Sequence, residues 1–123
     1  MGKILIVDDS DIIREQLANS LAKAGYTCIQ ASDGILGLKA AKENPPDLIL
    51  ADLNMPNMDG LEMIENIKNE PSLESVLVIM LTAETNTDLR RQGQQLGVRG
   101  WINKPVNQET VLKVLDKLVP VAA

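Results

Sequence analysis

Three aspartates, a threonine and a lysine stand directly after apolar runs in this 123-residue chain. Lys3–Val7 leads into Asp8-Asp9, Leu48–Asp52 closes on its own carboxylate, residues 76–81 lead into Thr82, and Gly100–Asn103 leads into Lys104. If these runs are parallel strands, their carboxyl ends share one edge of a sheet, where such folds collect functional groups. Carboxylates gathered there repel one another, so the cluster needs a neutralising cation or raised pKa values. An all-oxygen donor set favours a hard ion, and a small site that keeps several waters suits Mg²⁺. With a lysine ammonium and a hydroxyl beside it, such a site is suited to binding a phosphoryl group and stabilising its transfer.

Each residue alone has a plainer explanation. Asp8, Asp9 and Ser10 could simply cap a helix; Asp52 could be a loop carboxylate, Thr82 a turn residue and Lys104 a solvated charge. The weight lies in all five falling at the ends of successive apolar runs.

Those runs, with Thr27–Ala31, are short and rich in Ile, Val and Leu, as strands buried on both faces are. Amphipathic segments separate them. Ser10 or Asp11 can cap a first helix that buries Ile13, Leu17 and Leu21 and stops at Gly25. A second helix is expected over 35–43, ending before Pro45-Pro46, and a third from Leu61 to near Asn69. The fourth is expected over 86–96 with Gly93 inside it, at a cost of about 1 kcal/mol against Ala, and the fifth over 108–119. This alternation predicts an α/β fold with a parallel sheet. The chain is expected to form one domain over 1–123, with no output domain, because it ends four residues past Val119.

Composition excludes much other chemistry. There is no histidine, which removes Ser-His-Asp hydrolysis, histidine acid–base catalysis and His-ligated zinc. With one Tyr, one Trp and no Phe, stacking on bases or flavins has little to work with. A net charge of −5 argues against nucleic acid and anionic membranes as partners. The apolar run 76–81 is too short to span a bilayer, and no signal-peptide layout opens the chain, so a cytoplasmic location is expected. The single Cys28 cannot form an internal disulfide and is expected to be a small buried hydrophobe.

The residues resemble the response-regulator receiver family. The resemblance runs through Ile4-Leu5-Ile6-Val7-Asp8-Asp9-Ser10, Asp52-Leu53-Asn54-Met55-Pro56-Asn57-Met58-Asp59-Gly60, Leu81-Thr82-Ala83 and Lys104-Pro105, in family order. It is strongest to stand-alone, chemotaxis-type (CheY-like) receivers. It implies a doubly wound (βα)5 flavodoxin-like domain with a five-stranded parallel sheet of order 2-1-3-4-5. It also implies that Asp52 accepts a phosphoryl group from a kinase phosphohistidine. Asp9, Asp52 and the backbone carbonyl of Asn54 would be direct Mg²⁺ ligands, with Asp8 acting through water. Lys104 would pair with a phosphate oxygen, and Thr82 would couple the phosphate to a conformational switch. The Lys104-Pro105 peptide bond would be cis.

Two positions that set phosphoryl lifetime in the family are Asn54 and Glu84 here, a pairing similar to fast-dephosphorylating members. Trp101 departs from the family, whose switch residue is usually Tyr or Phe; its larger ring either rotates on activation or packs statically on the fourth and fifth helices. Ala83 leaves room for rotation. Gly93 fits either a mobile fourth helix or close packing. The family's output face would here include Arg90, Arg91, Gln95, Trp101, Asn107 and Glu109.

The resemblance implies a monomeric signalling protein, not a substrate-turnover enzyme. Its partners would be a histidine kinase as phosphodonor, a downstream protein target, with the flagellar motor switch the leading candidate, and a phosphatase. A phosphorelay shuttle, or a receiver excised from a larger regulator, is the alternative within the family. From another class, a Mg-dependent aspartyl-phosphate phosphatase would need a general-acid Asp where Asn54 stands. A flavodoxin-like electron carrier is opposed by the Asp8-Asp9-Ser10-Asp11 loop, which would repel an FMN phosphate. A calcium loop around Asn57–Gly60 fails because Met55 and Asn66 occupy its terminal ligand positions.

Overall fold

The computed structural model describes residues 2–83 and 87–120. Along the chain alternate β1 (Lys3–Val7), α1 (Asp11–Lys23), β2 (Thr27–Ala31), α2 (Gly34–Glu43), β3 (Leu48–Asp52), α3 (Gly60–Lys68), β4 (Leu77–Thr82), α4 (Thr87–Gln95), β5 (Gly100–Asn103) and α5 (Gln108–Leu118), with a short 3-10 helix at Pro71–Leu73. The strands are all parallel and lie in the order β2-β1-β3-β4-β5. This is the expected flavodoxin-like arrangement, with the chain reversing its direction of travel across the sheet between β1 and β3.

Alternation along each strand divides the core in two. Ile4, Ile6, Leu48, Leu50, Ile79 and Leu81 point to one face, where Leu17 and Leu21 of α1 and Val111 and Leu115 of α5 cover them. Leu5, Val7, Ile49, Ala51, Val78 and Met80 point to the other, under Ala41 of α2 and Met63, Ile64 and Ile67 of α3. Every residue of β3 is buried, as expected for the central strand. Full burial of each large aliphatic side chain contributes about 1.5–3 kcal/mol before entropy is counted.

Side-chain caps start the helices where the chain leaves the sheet. Ser10 Oγ accepts from the Ile13 N–H, Asp33 from Leu36, Asp59 from Glu62, and Asn107 from Glu109 and Thr110. Each such cap stabilises by about 1 kcal/mol. Gly25, with φ 102°, provides the left-handed residue after α1.

Beyond one-residue shifts at the ends of α2, α3 and α5, three details differ from the sequence expectation. Strand β4 begins and ends one residue later, because the Val76 N–H donates to Leu73 and closes the 3-10 turn, while Thr82 pairs in the sheet opposite Asn103. Ile13 is half-buried rather than buried. Cys28 is also half-buried, because β2 is an edge strand. The expected start of the fourth helix at Asn86 lies outside the described residues, as does Glu84.

Candidate functional site

Strand register alone brings the five residues together. Val7 pairs with Ala51, so Asp8, one residue on, falls beside Asp52. Asp52 pairs with Leu81, so Thr82 is one step further along the next strand. Thr82 pairs with Asn103, and the Lys104 N–H donates to the Thr82 carbonyl oxygen at 2.9 Å. The whole set therefore lies on the carboxyl edge, over the adjacent strands β1, β3, β4 and β5.

Lys104 Nζ stands 3.0 Å from Asp8 Oδ2 and 3.1 Å from Asp52 Oδ2, spanning two carboxylates that are nearly withdrawn from water. Asp9 completes the acidic group: one carboxylate oxygen from each of Asp8, Asp9 and Asp52 lies within 4.8 Å of the others. Asp9 is exposed, so the cluster opens to solvent on its side. Three carboxylates against one ammonium leave a surplus of negative charge. Burial raises the Asp52 pKa above the ordinary carboxylate value; Lys104 pulls it back and the Asp8 charge pushes it up again. Burial alone would lower the Lys104 ammonium, but its hydrogen bonds and charge interactions with Asp8 and Asp52 outweigh that and raise it. The donor set fits a hard divalent cation: all oxygen, several carboxylates, one open side. A cation there would restore the balance that one lysine cannot.

Neighbouring groups orient the cluster. Asp8 Oδ1 accepts from the Ser10 N–H at 2.8 Å, which turns Oδ2 toward Lys104. The Arg14 guanidinium donates to the Asp8 carbonyl oxygen and pairs with Asp11 one turn earlier, tying α1 to the end of β1. The Asn54 backbone adds a smaller lowering of the Asp52 pKa, and the Asn54 side chain is exposed. The Lys104–Pro105 bond is cis, as the resemblance implied. Thr82 is fully buried.

Trp101 sits in β5 opposite Met80, on the sheet face that carries Thr82 two residues further along β4. Its ring packs against α4 at Gly93, where a Cβ would lie 2.5 Å from Cζ2. Close packing therefore accounts for this glycine, one of the two explanations open at the sequence level. Arg90 of α4 lies over the ring, 5.3 Å from its centroid, and donates to Asn103 Oδ1 at 2.9 Å. Arg90, counted from sequence among exposed output contacts, is thus bound within the molecule. The indole Nε1 is buried and has no hydrogen-bond partner among the described residues.

Sequence reasoning did not single out Arg14 or Asp33, nor that Asp33 and Asn57 hydrogen-bond to each other beside this edge. Asp33-Gly34 before an apolar helix was a readable capping signal; the pairing with Asn57 is tertiary and had none.

Residues 4–116 match the response regulator receiver domain model. The chain is 37% identical to the Vibrio cholerae chemotaxis protein CheY-3 over 117 residues, covering 94% of this chain and 90% of that protein. It is 30% identical to Protein PilH of Pseudomonas aeruginosa over 119 residues, covering 97% and 98%. Among solved structures, the Vibrio cholerae chemotaxis protein CheY4 superposes with a TM-score of 0.91 at 37% identity, covering 97% of this chain and 99% of that one. Receivers of this kind work with histidine kinases and downstream targets in two-component signalling, and the family is not one of classical enzymes. No helix of the described residues is long and apolar enough to cross a membrane. The match over nearly the whole chain, the strand order and the acidic edge agree, and the chain belongs to the response regulator receiver domain family.

Proposed function

We propose that this protein is a response regulator receiver whose Asp52 accepts a phosphoryl group from a histidine kinase, with Mg²⁺ as the required cation. The observation that carries this is the ammonium of Lys104 placed between Asp8 and Asp52, with Asp9 completing a cluster of three carboxylates. Asp8, Asp9, Asp52 and the Asn54 carbonyl would hold the cation, which when bound supplies charge neutralisation for the incoming phosphoryl oxygens.

In the transfer, a carboxylate oxygen of Asp52 attacks phosphorus. The new P–O bond forms as the P–N bond to the donor imidazole breaks, and the imidazole leaves with the bonding pair and takes up a proton. Lys104 must exchange its contact with Asp52 for a phosphate oxygen, since forming the acyl phosphate removes the carboxylate's charge. The buried Thr82 hydroxyl, next to Lys104 in the sheet, is the group that couples phosphate to the switch.

Thr82 and Trp101 share a sheet face beneath α4, which supports Trp101 as the switch aromatic. The ring is held by packing and by Arg90. The output is proposed to be binding of a protein target in a chemotaxis-type pathway, with the flagellar motor switch as the leading candidate. This rests on the likeness to CheY-3 and CheY4. The protein would act as a cytoplasmic monomer, meet a phosphatase as well as a kinase, and turn over nothing but its own aspartyl phosphate.

The test is intact-mass measurement after incubation with acetyl phosphate and Mg²⁺. Wild type should gain one phosphoryl group, and Asp52→Asn should gain none while keeping its circular dichroism. A phosphoryl gain that persists in Asp52→Asn would refute the assignment. Capture from source-cell lysate with and without beryllofluoride then reads the output: retention of a motor component only by the activated wild type supports chemotaxis.

A further inference from the structure

The loop 53–59 leaves β3 directly after Asp52, so Asn54 follows the phosphoacceptor candidate by only two residues. At its base the Gly60 N–H donates to the Leu53 carbonyl oxygen at 2.8 Å. Its far end is anchored to a different element. Asn57 Nδ2 donates to Asp33 Oδ2 at 2.8 Å, and the Gly34 N–H donates to the Met58 carbonyl oxygen at 3.2 Å.

Both Asp33 oxygens are therefore used. Oδ1 caps α2 by accepting from the Leu36 N–H at 2.8 Å, and Oδ2 holds the loop. Asp33 is buried while Asn57 is exposed, so the clamp is part-buried. Asn57 has φ 68°, a left-handed conformation that a non-glycine residue adopts at some cost, and Asn is among the residues that bear it best. At Gly34 a Cβ would overlap the Met58 carbonyl oxygen and stand 2.9 Å from its carbon, so only glycine lets α2 come this near.

We propose that Asp33 is a positioning residue for the cation site: by clamping Asn57, it sets the path of the loop that carries Asn54 past Asp52. The proposal rests on the cation-site reading given above. Asp33 touches neither cation nor phosphoryl group. It acts as outer support for a ligand-bearing segment, anchored to a helix that is packed into the core rather than to the loop itself.

The test is calorimetric titration of Mg²⁺ into the full chain, with thermal melts as a check on folding. Asn57→Gly keeps the left-handed backbone without strain and removes only the amide. It should weaken Mg²⁺ binding by about tenfold, the lower end for losing outer support of a ligand. Phosphorylation by acetyl phosphate should slow at limiting Mg²⁺ and recover at saturation, a split that general destabilisation would not produce. Gly34→Ala, which pushes Met58 away, should act in the same direction. Asp33→Asn should stay near wild type, since its oxygen can still cap α2 and its amide can donate to a flipped Asn57. Unchanged affinity in folded Asn57→Gly would overturn the clamp. So would a loss in Asp33→Asn as large as that in Asn57→Gly, which would make carboxylate charge the cause. Absence of Mg²⁺ binding in wild type would instead overturn the cation site, and the clamp with it.

Discussion

Gly93 of α4 and Trp101 of β5 interlock: the indole occupies the space a Cβ at position 93 would need, with Cζ2 and Cη2 only 2.5 and 3.0 Å from it. Replacing Gly93 by Ala should therefore destabilise the protein although Ala is the better helix former. The gain in propensity is about 1 kcal/mol, and overpacking costs about 1–3 kcal/mol, so the net loss should be about 1 kcal/mol. Urea unfolding measures it, and Trp101 emission should shift in the folded variant. Adding Trp101→Phe, a smaller ring, should recover the loss; if it does not, the two residues are not coupled. In wild type, beryllofluoride with Mg²⁺ should alter Trp101 emission if the ring moves with the switch.

Lys104 is the only cation hydrogen-bonded to both buried carboxylates among the described residues. Lys104→Met would leave Asp8 and Asp52 facing each other without it, and removing one partner of a buried ionic group costs about 3–5 kcal/mol. Mg²⁺ held at the proposed site would bind the folded state and not the unfolded chain, so it should restore much of that loss. Melting temperatures with and without Mg²⁺ check this: the cation-induced rise should be larger in Lys104→Met than in wild type. An equal rise would mean that lysine and cation do not share the task of neutralisation.

The Asp33 pKa is lowered, first by the Leu36 N–H and then by the Asn57 amide. Its folded state thus holds fewer protons than its unfolded state below the ordinary Asp value of about 3.9. The stability it contributes is present above that value and is lost as pH falls through the folded pKa. Asp33→Asn carries no such proton linkage, so its urea midpoint should fall less steeply than wild type across the acid range. Parallel acid limbs would show that the carboxylate is not held in its charged form.

Cys28 is half-buried on the edge strand, and burial pushes its thiol up to about 11. At neutral pH almost no thiolate is present to react. Modification by a disulfide reagent should be slow in the native protein and fast in urea. Rapid native reaction would show that the β2 edge opens readily.

The sheet was legible because both-face burial forces continuous Ile, Val and Leu runs, and Gly, Pro and capping residues punctuate what lies between. Even the ends of β1, β2, β3 and β5 agree with the sequence expectation. Strand β4 shifted by one residue because its ends depend on neighbours: Leu73 holds Val76 out of the sheet, and Asn103 draws Thr82 in. The 3-10 helix at Pro71–Leu73 went unread, since a single turn carries no periodicity. Asp8, Asp9, Asp52, Thr82 and Lys104 were legible as neighbours because each lies at or just past the end of a strand, and in a parallel sheet all strands end at the same edge.

Pairings between distant side chains were not legible in the same way. The residue types at 93 and 101 each left two explanations open, and neither named the other as the cause. Nothing near Asp33 pointed to Asn57, 24 residues away. Residue order determines which groups reach the sheet edge, because strand period and parallel register act through local hydrophobic pattern. Only the packed structure decided that Lys104 divides itself between Asp8 and Asp52, that Trp101 fills the notch at Gly93, and that α2 grips the loop beyond the proposed phosphorylation site. Those contacts depend on distances of a few ångströms between elements far apart in the chain, set by how side chains fill the space between them.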